Sequence, residues 1–98
     1  MFTIIDPVKQ NLVAGAGYGE PVKIRHPNAT VTAIPGGGGN MDVQFSTSTE
    51  TEVNANGGTW QDWPTGNVTA TTSDTLIGRV TAVRARAVTA AGVLEVTQ

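Results

Sequence analysis

The stretch that decides the fold class is Arg79-Val-Thr-Ala-Val-Arg-Ala-Arg-Ala-Val-Thr-Ala-Ala-Gly-Val-Leu-Glu-Val-Thr-Gln98, at the end of the chain. Strand-forming residues dominate it, and Leu94 and Val96 alternate with polar residues, as a strand with one buried face requires. Gly92 lies at the only plausible reversal of the chain. The stretch therefore predicts two β-strands joined by a tight turn, which would form a terminal hairpin.

The composition extends this prediction to the whole chain. Fifteen Thr, twelve Val and twelve Gly among 98 residues, with only 14% charged residues, describe strands separated by glycine turns. Helices are disfavoured because β-branched side chains lose rotamer freedom on a helix. Turn signals recur about every 8–12 residues, which is typical of a sandwich, jelly roll or small barrel. We predict a single all-β domain over residues 1–98: a small antiparallel β-sandwich, jelly-roll-like, with seven to eight short strands.

The pattern along the chain places individual segments. Residues 1–20 could form an extended arm, because an apolar start ends at Asp6-Pro7 and a glycine-rich stretch follows at residues 15–19. Residues 46–58 are polar and are predicted to cross the surface between strands, and residues 64–66 and 73–74 are predicted as a turn and a link. Strands are predicted at residues 22–25, 30–34, 41–45 and 67–71, before the terminal hairpin.

Charge and residue types exclude several function classes. A net charge of −2 and a pI near 5.1 disfavour nucleic acid, since a nucleic-acid binder needs a basic surface. The absence of Cys and the presence of a single His, at position 26, mean that tight binding of a transition metal would need a cluster of carboxylates. The eight carboxylates are scattered, and the segment Gly15-Ala-Gly-Tyr-Gly-Glu20 lacks the spacing of a dinucleotide fingerprint. We expect no catalytic residues, no cofactor, no metal and, since neither a secretory signal nor a transmembrane run is present, no membrane partner.

The two tryptophans are candidate interface residues. Trp60 and Trp63 are three positions apart, so on an extended strand they would point to opposite faces of the sheet. At least one of the two indoles is therefore expected in the core. The other would be either a protein-interface anchor or a platform on which a sugar stacks.

Two arginines are also candidate interface residues. Arg84 and Arg86 lie two positions apart on the predicted strand, so they share one face, which is either solvated or paired with another surface. A domain with few bulky apolar residues also gains stability when it buries surface against copies of itself or against a partner. The candidate protein-interface residues are Phe2, Ile4, Tyr18, Trp60, Trp63, Arg84 and Arg86.

The order of features after residue 40 resembles that of small virion proteins of tailed bacteriophages. The matching segments are Met41-Asp-Val-Gln-Phe-Ser-Thr-Ser48, Thr59-Trp-Gln-Asp-Trp-Pro-Thr-Gly-Asn-Val-Thr-Ala70, Val80-Thr-Ala-Val-Arg-Ala85 and Gly92-Val-Leu-Glu-Val96. The resemblance covers residues 41–97 and includes no part of the first forty residues. Some of these phage proteins are decoration or cement proteins with jelly-roll-like folds.

The resemblance implies a non-enzymatic structural protein that binds the outside of the capsid and stabilises it. Its partners would be the major capsid protein and copies of itself, and its location the capsid surface of the virion, after synthesis in the host cytoplasm. A second hypothesis is a carbohydrate-binding or receptor-binding module of a phage fibre or tail, with Trp60 or Trp63 stacked on a sugar. An enzyme is the third and weakest hypothesis, because the sequence offers no catalytic constellation.

Overall fold

The computed structural model of the chain describes residues 8–25, 28–76 and 80–98, with the backbone alone described at residues 64–66. Within these residues the chain forms eight strands and one short helix. In chain order they are β1 (Val8–Leu12), β2 (Val22–Lys23), β3 (Thr30–Pro35), β4 (Met41–Ser46), α1 (Glu50–Asn54), β5 (Trp60–Val68), β6 (Thr72–Thr75), β7 (Ala82–Ala87) and β8 (Gly92–Thr97).

The strands form two four-stranded antiparallel sheets. Sheet 1 has the order β1-β8-β3-β6 and sheet 2 has the order β2-β7-β4-β5. The first strand pairs with the eighth, the second with the seventh, the third with the sixth and the fourth with the fifth. Pairing of β3 with β8 and of β4 with β7 then joins these nested pairs into sheets. This is the topology of a jelly roll, and the predicted all-β sandwich is confirmed.

The predicted terminal hairpin is wrong, although both of its strands exist. Strand β7 pairs with β2 and β4 in sheet 2, whereas β8 pairs with β1 and β3 in sheet 1. Residues 88–91 therefore carry the chain from one sheet to the other. The alternation of apolar and polar residues reports which side of a strand faces the core. It does not report which strand lies beside it.

The segment predicted as an arm differs from the prediction where the structure describes it. Residues 1–7, and with them Phe2 and Ile4, lie outside the described residues. Strand β1 is an edge strand of sheet 1, and its last residue, Leu12, is buried. The glycine-rich stretch then runs alongside β7. The N–H groups of Gly15 and Gly19 donate to the main-chain carbonyls of Ala87 and Ala85 at 3.0 and 2.9 Å. Residues 8–20 thus pack against the sheets of their own domain.

The polar segment predicted as an irregular surface crossing contains helix α1. Thr49 is its N-cap: the Thr49 hydroxyl accepts from the N–H of Glu52, and the Glu52 carboxylate accepts from the N–H of Thr49. The Thr-x-x-Glu spacing is the sequence signature of this capping box. The side chain of Val53, on the inner side of the helix, is buried. Arg25 donates two hydrogen bonds of 3.0 Å to the carboxylate of Glu50 in the first turn. Over residues 50–54 the predicted loop is therefore wrong.

Two further segments differ from the sequence prediction. The predicted turn at residues 64–66 is part of the continuous strand β5. Asp42 of β4 faces Asn67 of β5 whereas Gln44 faces Asp62, so extra residues of β5 bulge between these pairs. The predicted link at residues 73–74 belongs to the edge strand β6. In both places turn-forming residues are tolerated because edge strands accept bulges and polar side chains.

The core lies between the two sheets and consists mainly of small residues. Four Ala and five Val accompany the few large side chains in it, as the thin supply of bulky apolar residues predicted. Partly buried Phe45 packs against its margin. The buried core residues are Leu12, Ala29, Val31, Ala33, Met41, Val43, Trp63, Val68, Leu76, Val83, Ala85, Ala87, Leu94 and Val96.

Candidate interaction surface

The outer face of sheet 2 carries the two predicted arginines. Along β7, Ala85 and Ala87 are buried, whereas Arg84 is half-buried and Arg86 is exposed, so the alternation is as predicted. The register of β7 with β4 places Arg84 opposite Gln44 and Arg86 opposite Asp42. Each arginine therefore has a polar cross-strand neighbour on the same face.

Arg86 forms an ion pair with Asp42. The Asp42 Oδ2 atom accepts from Arg86 Nε at 2.8 Å and from Nη2 at 2.7 Å, while its Oδ1 atom accepts from Asn67 Nδ2 at 3.1 Å. The hydrogen bond from Asn67, followed by that from Arg86, lowers the pKa of Asp42 despite its partial burial. Asp42 is therefore ionised at neutral pH and compensates the charge of Arg86.

Arg84 has a different environment, because its hydrogen-bond partner is neutral. Its Nε and Nη2 atoms donate to Gln44 Oε1 at 3.1 and 2.8 Å, and Gln44 in turn donates to Asp62 Oδ1 at 3.2 Å. Within the described part of the chain, no carboxylate lies at ion-pair distance from Arg84. Burial lowers the pKa of Arg84, as expected for a cation that is partly removed from water.

Two aromatic rings hold the Arg84 guanidinium. Its Cζ atom lies 4.1 Å from the centroid of Trp60 and 4.3 Å from that of Tyr18, and Arg86 Cζ lies 5.0 Å from the Tyr18 ring. These are cation–π distances. The indole N–H of Trp60 donates to the Gly57 carbonyl at 3.3 Å. We call Tyr18, Trp60, Arg84 and Arg86 the arginine–aromatic cluster.

A cleft of about 180 Å³ opens beside the arginine–aromatic cluster. Part of its lining comes from the loop that precedes β2, and part from the C-terminal end of α1 with the turn after it. Arg84 and Trp60 also line it. The residues that line the cleft are Tyr18, Gly19, Glu20, Pro21, Val53, Asn56, Gly57, Trp60 and Arg84.

The structure brings together four of the seven candidate interface residues. Trp63 is on the other side of β5 from Trp60, 7% exposed within the core, so the two indoles point to opposite faces as their spacing predicted. Sequence analysis missed Asp42, Gln44 and Asp62 as neighbours of the arginines. Asp42 and Gln44 alternate with buried residues along β4, which identifies their face but not the strand beside them.

The described residues contain no group of three or more His, Cys, Asp or Glu side chains that could hold a metal ion. They also contain no helix of the length and hydropathy needed to cross a membrane. Comparison of the chain with protein-family models, curated proteins and solved structures found no match.

Proposed function

We propose that this chain is a non-enzymatic structural protein of a tailed-bacteriophage virion, a decoration or cement protein that binds the outside of the major capsid shell and stabilises it. The observation that carries the proposal is the arginine–aromatic cluster on the outer face of sheet 2. Tyr, Trp and Arg are the residue types most enriched among energetic hot spots of protein interfaces. The resemblance of residues 41–97 to phage virion proteins supports the choice of partner.

The arrangement of the cluster suits rigid docking. The guanidinium of Arg84 is held between two rings and an amide, so little side-chain freedom remains to be lost when a partner covers it. The stabilising mechanism is the buried area itself. An interface of about 1,200–2,000 Å², repeated at every junction of a shell, opposes internal pressure without any chemical step.

Particles that lack this protein should assemble but release DNA at a lower temperature, or on osmotic shock, because the interface that braces the expanded shell is missing. The measurement is thermal release of DNA from depleted particles, from wild-type particles, and from depleted particles to which purified protein has been added back. Depleted particles as stable as the wild type would refute the cement function.

A matched pair of variants tests whether the cluster is the docking face. Arg84→Ala should reduce the number of copies bound per particle. Lys9→Ala removes a cation from the outer face of sheet 1, where Lys9 pairs with Glu95 at 3.2 Å, and should leave occupancy unchanged. Reduced occupancy with Lys9→Ala and normal occupancy with Arg84→Ala would assign docking to the opposite face of the sandwich.

A carbohydrate-binding or receptor-binding module is the second candidate, and one observation favours it. Trp60 shares its face of sheet 2 with Gln44, Asp62 and Arg84, whose polar groups could bond to sugar hydroxyls. Against it, Arg84 already covers one side of the indole. On a glycan array, the cement function predicts no specific binding. Specific binding that Trp60→Ala abolishes at an unchanged melting temperature would favour the module instead.

A further inference from the structure

We propose that the cleft beside Arg84 is a carboxylate-binding site that receives an Asp or Glu side chain of the protein on which this chain docks. The inference rests on the proposed function, which supplies a protein as the partner, and it adds the chemistry that this partner must present. Two features of the cleft carry it, an arginine without a counter-charge and walls that fit one side chain, and an acidic lining residue supplies a test.

The first feature is the charge of Arg84. The other described arginines, Arg25 and Arg86, are each paired with a carboxylate, and so is Lys9 on sheet 1. Lys23, which bonds to the side chain of Asn54, is the remaining described cation. Arg84 and Lys23 are both half-buried and both bond to an amide oxygen, but of these cations Arg84 is the one that lines the cleft. A partly desolvated charge is stabilised most by an opposite charge, so a carboxylate from outside would complete its environment.

The donors needed for that contact are present. A guanidinium carries five N–H groups in a planar fork. Arg84 uses Nε and Nη2 towards Gln44, and Nη1 donates no hydrogen bond within the described part of the chain. The rings of Tyr18 and Trp60 fix the plane of the fork. Arginine in such a fixed geometry binds carboxylates more strongly and more specifically than a neutral donor does.

The second feature is the size and lining of the cleft. Its volume of about 180 Å³ is below the roughly 300–1,000 Å³ of pockets that enclose a drug-sized ligand, so it suits a single side chain. Pro21, Val53 and the two rings supply apolar surface around the guanidinium. Low-dielectric walls of this kind strengthen the attraction between an arginine and an incoming carboxylate.

Glu20 allows a test in which the direction of the effect is predicted. It is an exposed residue that lines the cleft, and it is not ion-paired with Arg84. A bound carboxylate would be repelled by Glu20. Neutralising this residue with Glu20→Gln should therefore strengthen binding, whereas removing the cation with Arg84→Gln should weaken it. A purely structural role for Arg84 predicts no gain from Glu20→Gln.

The experiment is a titration of the purified protein with N-acetyl-glutamate amide, with N-acetyl-glutamine amide as the uncharged control. Binding is followed through the NMR signals of the Trp60 indole N–H and the Arg84 Nε–H. We expect saturable shifts with a Kd of the order of millimolar for the acidic probe, as suits so small a ligand, and none for the control. Arg84→Gln should weaken binding about tenfold or more. Glu20→Gln should tighten it about twofold, and Lys9→Gln should leave it unchanged.

The outcomes separate this inference from the proposed function. Binding of the acidic probe with the expected variant order, but no decoration of particles, would support the carboxylate site and remove the cement function. Decoration that survives Arg84→Gln, together with no response to the acidic probe, would remove the carboxylate site alone. Weaker binding with Glu20→Gln would also overturn the inference, because the acidic residue would then be assisting the ligand. Tighter binding of glucuronate than of the amino-acid probe would overturn the assignment to a protein side chain.

Discussion

Trp63→Ala is expected to lower the free energy of unfolding by about 3–5 kcal/mol, the range found for removal of a buried large aromatic side chain. Trp63 is 7% exposed and is the largest residue of a core built mainly from Val and Ala. Such short side chains cannot move far enough to fill the space that the indole leaves. The cavity therefore persists, and its cost adds to the lost burial. Urea unfolding followed by circular dichroism gives the measurement.

Trp60→Ala is the matched control, since it removes the same side chain from the same strand but from the outer face. The Trp60 ring is partly exposed and contacts Arg84, and such a cation–π contact contributes about 0.5–2 kcal/mol. We expect a loss in that range, well below that of Trp63→Ala. Equal losses for the two variants would contradict the assignment of one indole to the core and the other to the surface.

The sequence predicts the faces of strands better than their neighbours. Alternation along β7 is local, so it correctly predicted that Arg84 and Arg86 share one face of their strand, whereas Ala85 and Ala87 between and after them are buried. The partners of a strand depend on the packing of segments far apart in the chain. This is why the terminal hairpin was wrong and why β1, predicted within an arm, is a strand of sheet 1.

The same distinction explains how much of the candidate site was predicted. The spacing of the arginines predicted that Arg84 and Arg86 share a face, and the spacing of the tryptophans predicted that Trp60 and Trp63 point to opposite faces, without deciding which of the two points outward. Asp42 and Gln44 became neighbours of the arginines only through the register of β4 with β7, and that register joins residues about forty positions apart. Helix α1 was missed because its signal is a single capping box within a chain whose composition favours strands.

We expect Gly36→Ala to cost about 1–3 kcal/mol of unfolding free energy, and its neighbour Gly37→Ala to be neutral or slightly stabilising. The Gly36 N–H donates to the Ala91 carbonyl oxygen at 2.9 Å, and a Cβ atom at position 36 would lie 2.3 Å from that same oxygen. A Cβ atom at position 37 meets nothing within 4 Å. Neither glycine has a positive φ, so the pair isolates the steric effect from backbone strain. Thermal and urea unfolding of both variants give the comparison.

The expected cost is large for one methyl group because the obstructing atom is main chain and belongs to the crossing between β7 and β8. A flexible side chain could rotate away, but Ala91 can move only if the connection between the two sheets moves with it. That shift would disturb the adjacent Gly92, where even a Cβ atom would lie 2.7 Å from the sulfur of the buried Met41 side chain. Equal stability of Gly36→Ala and Gly37→Ala would show instead that residues 35–40 are the flexible loop that their glycine content alone suggests.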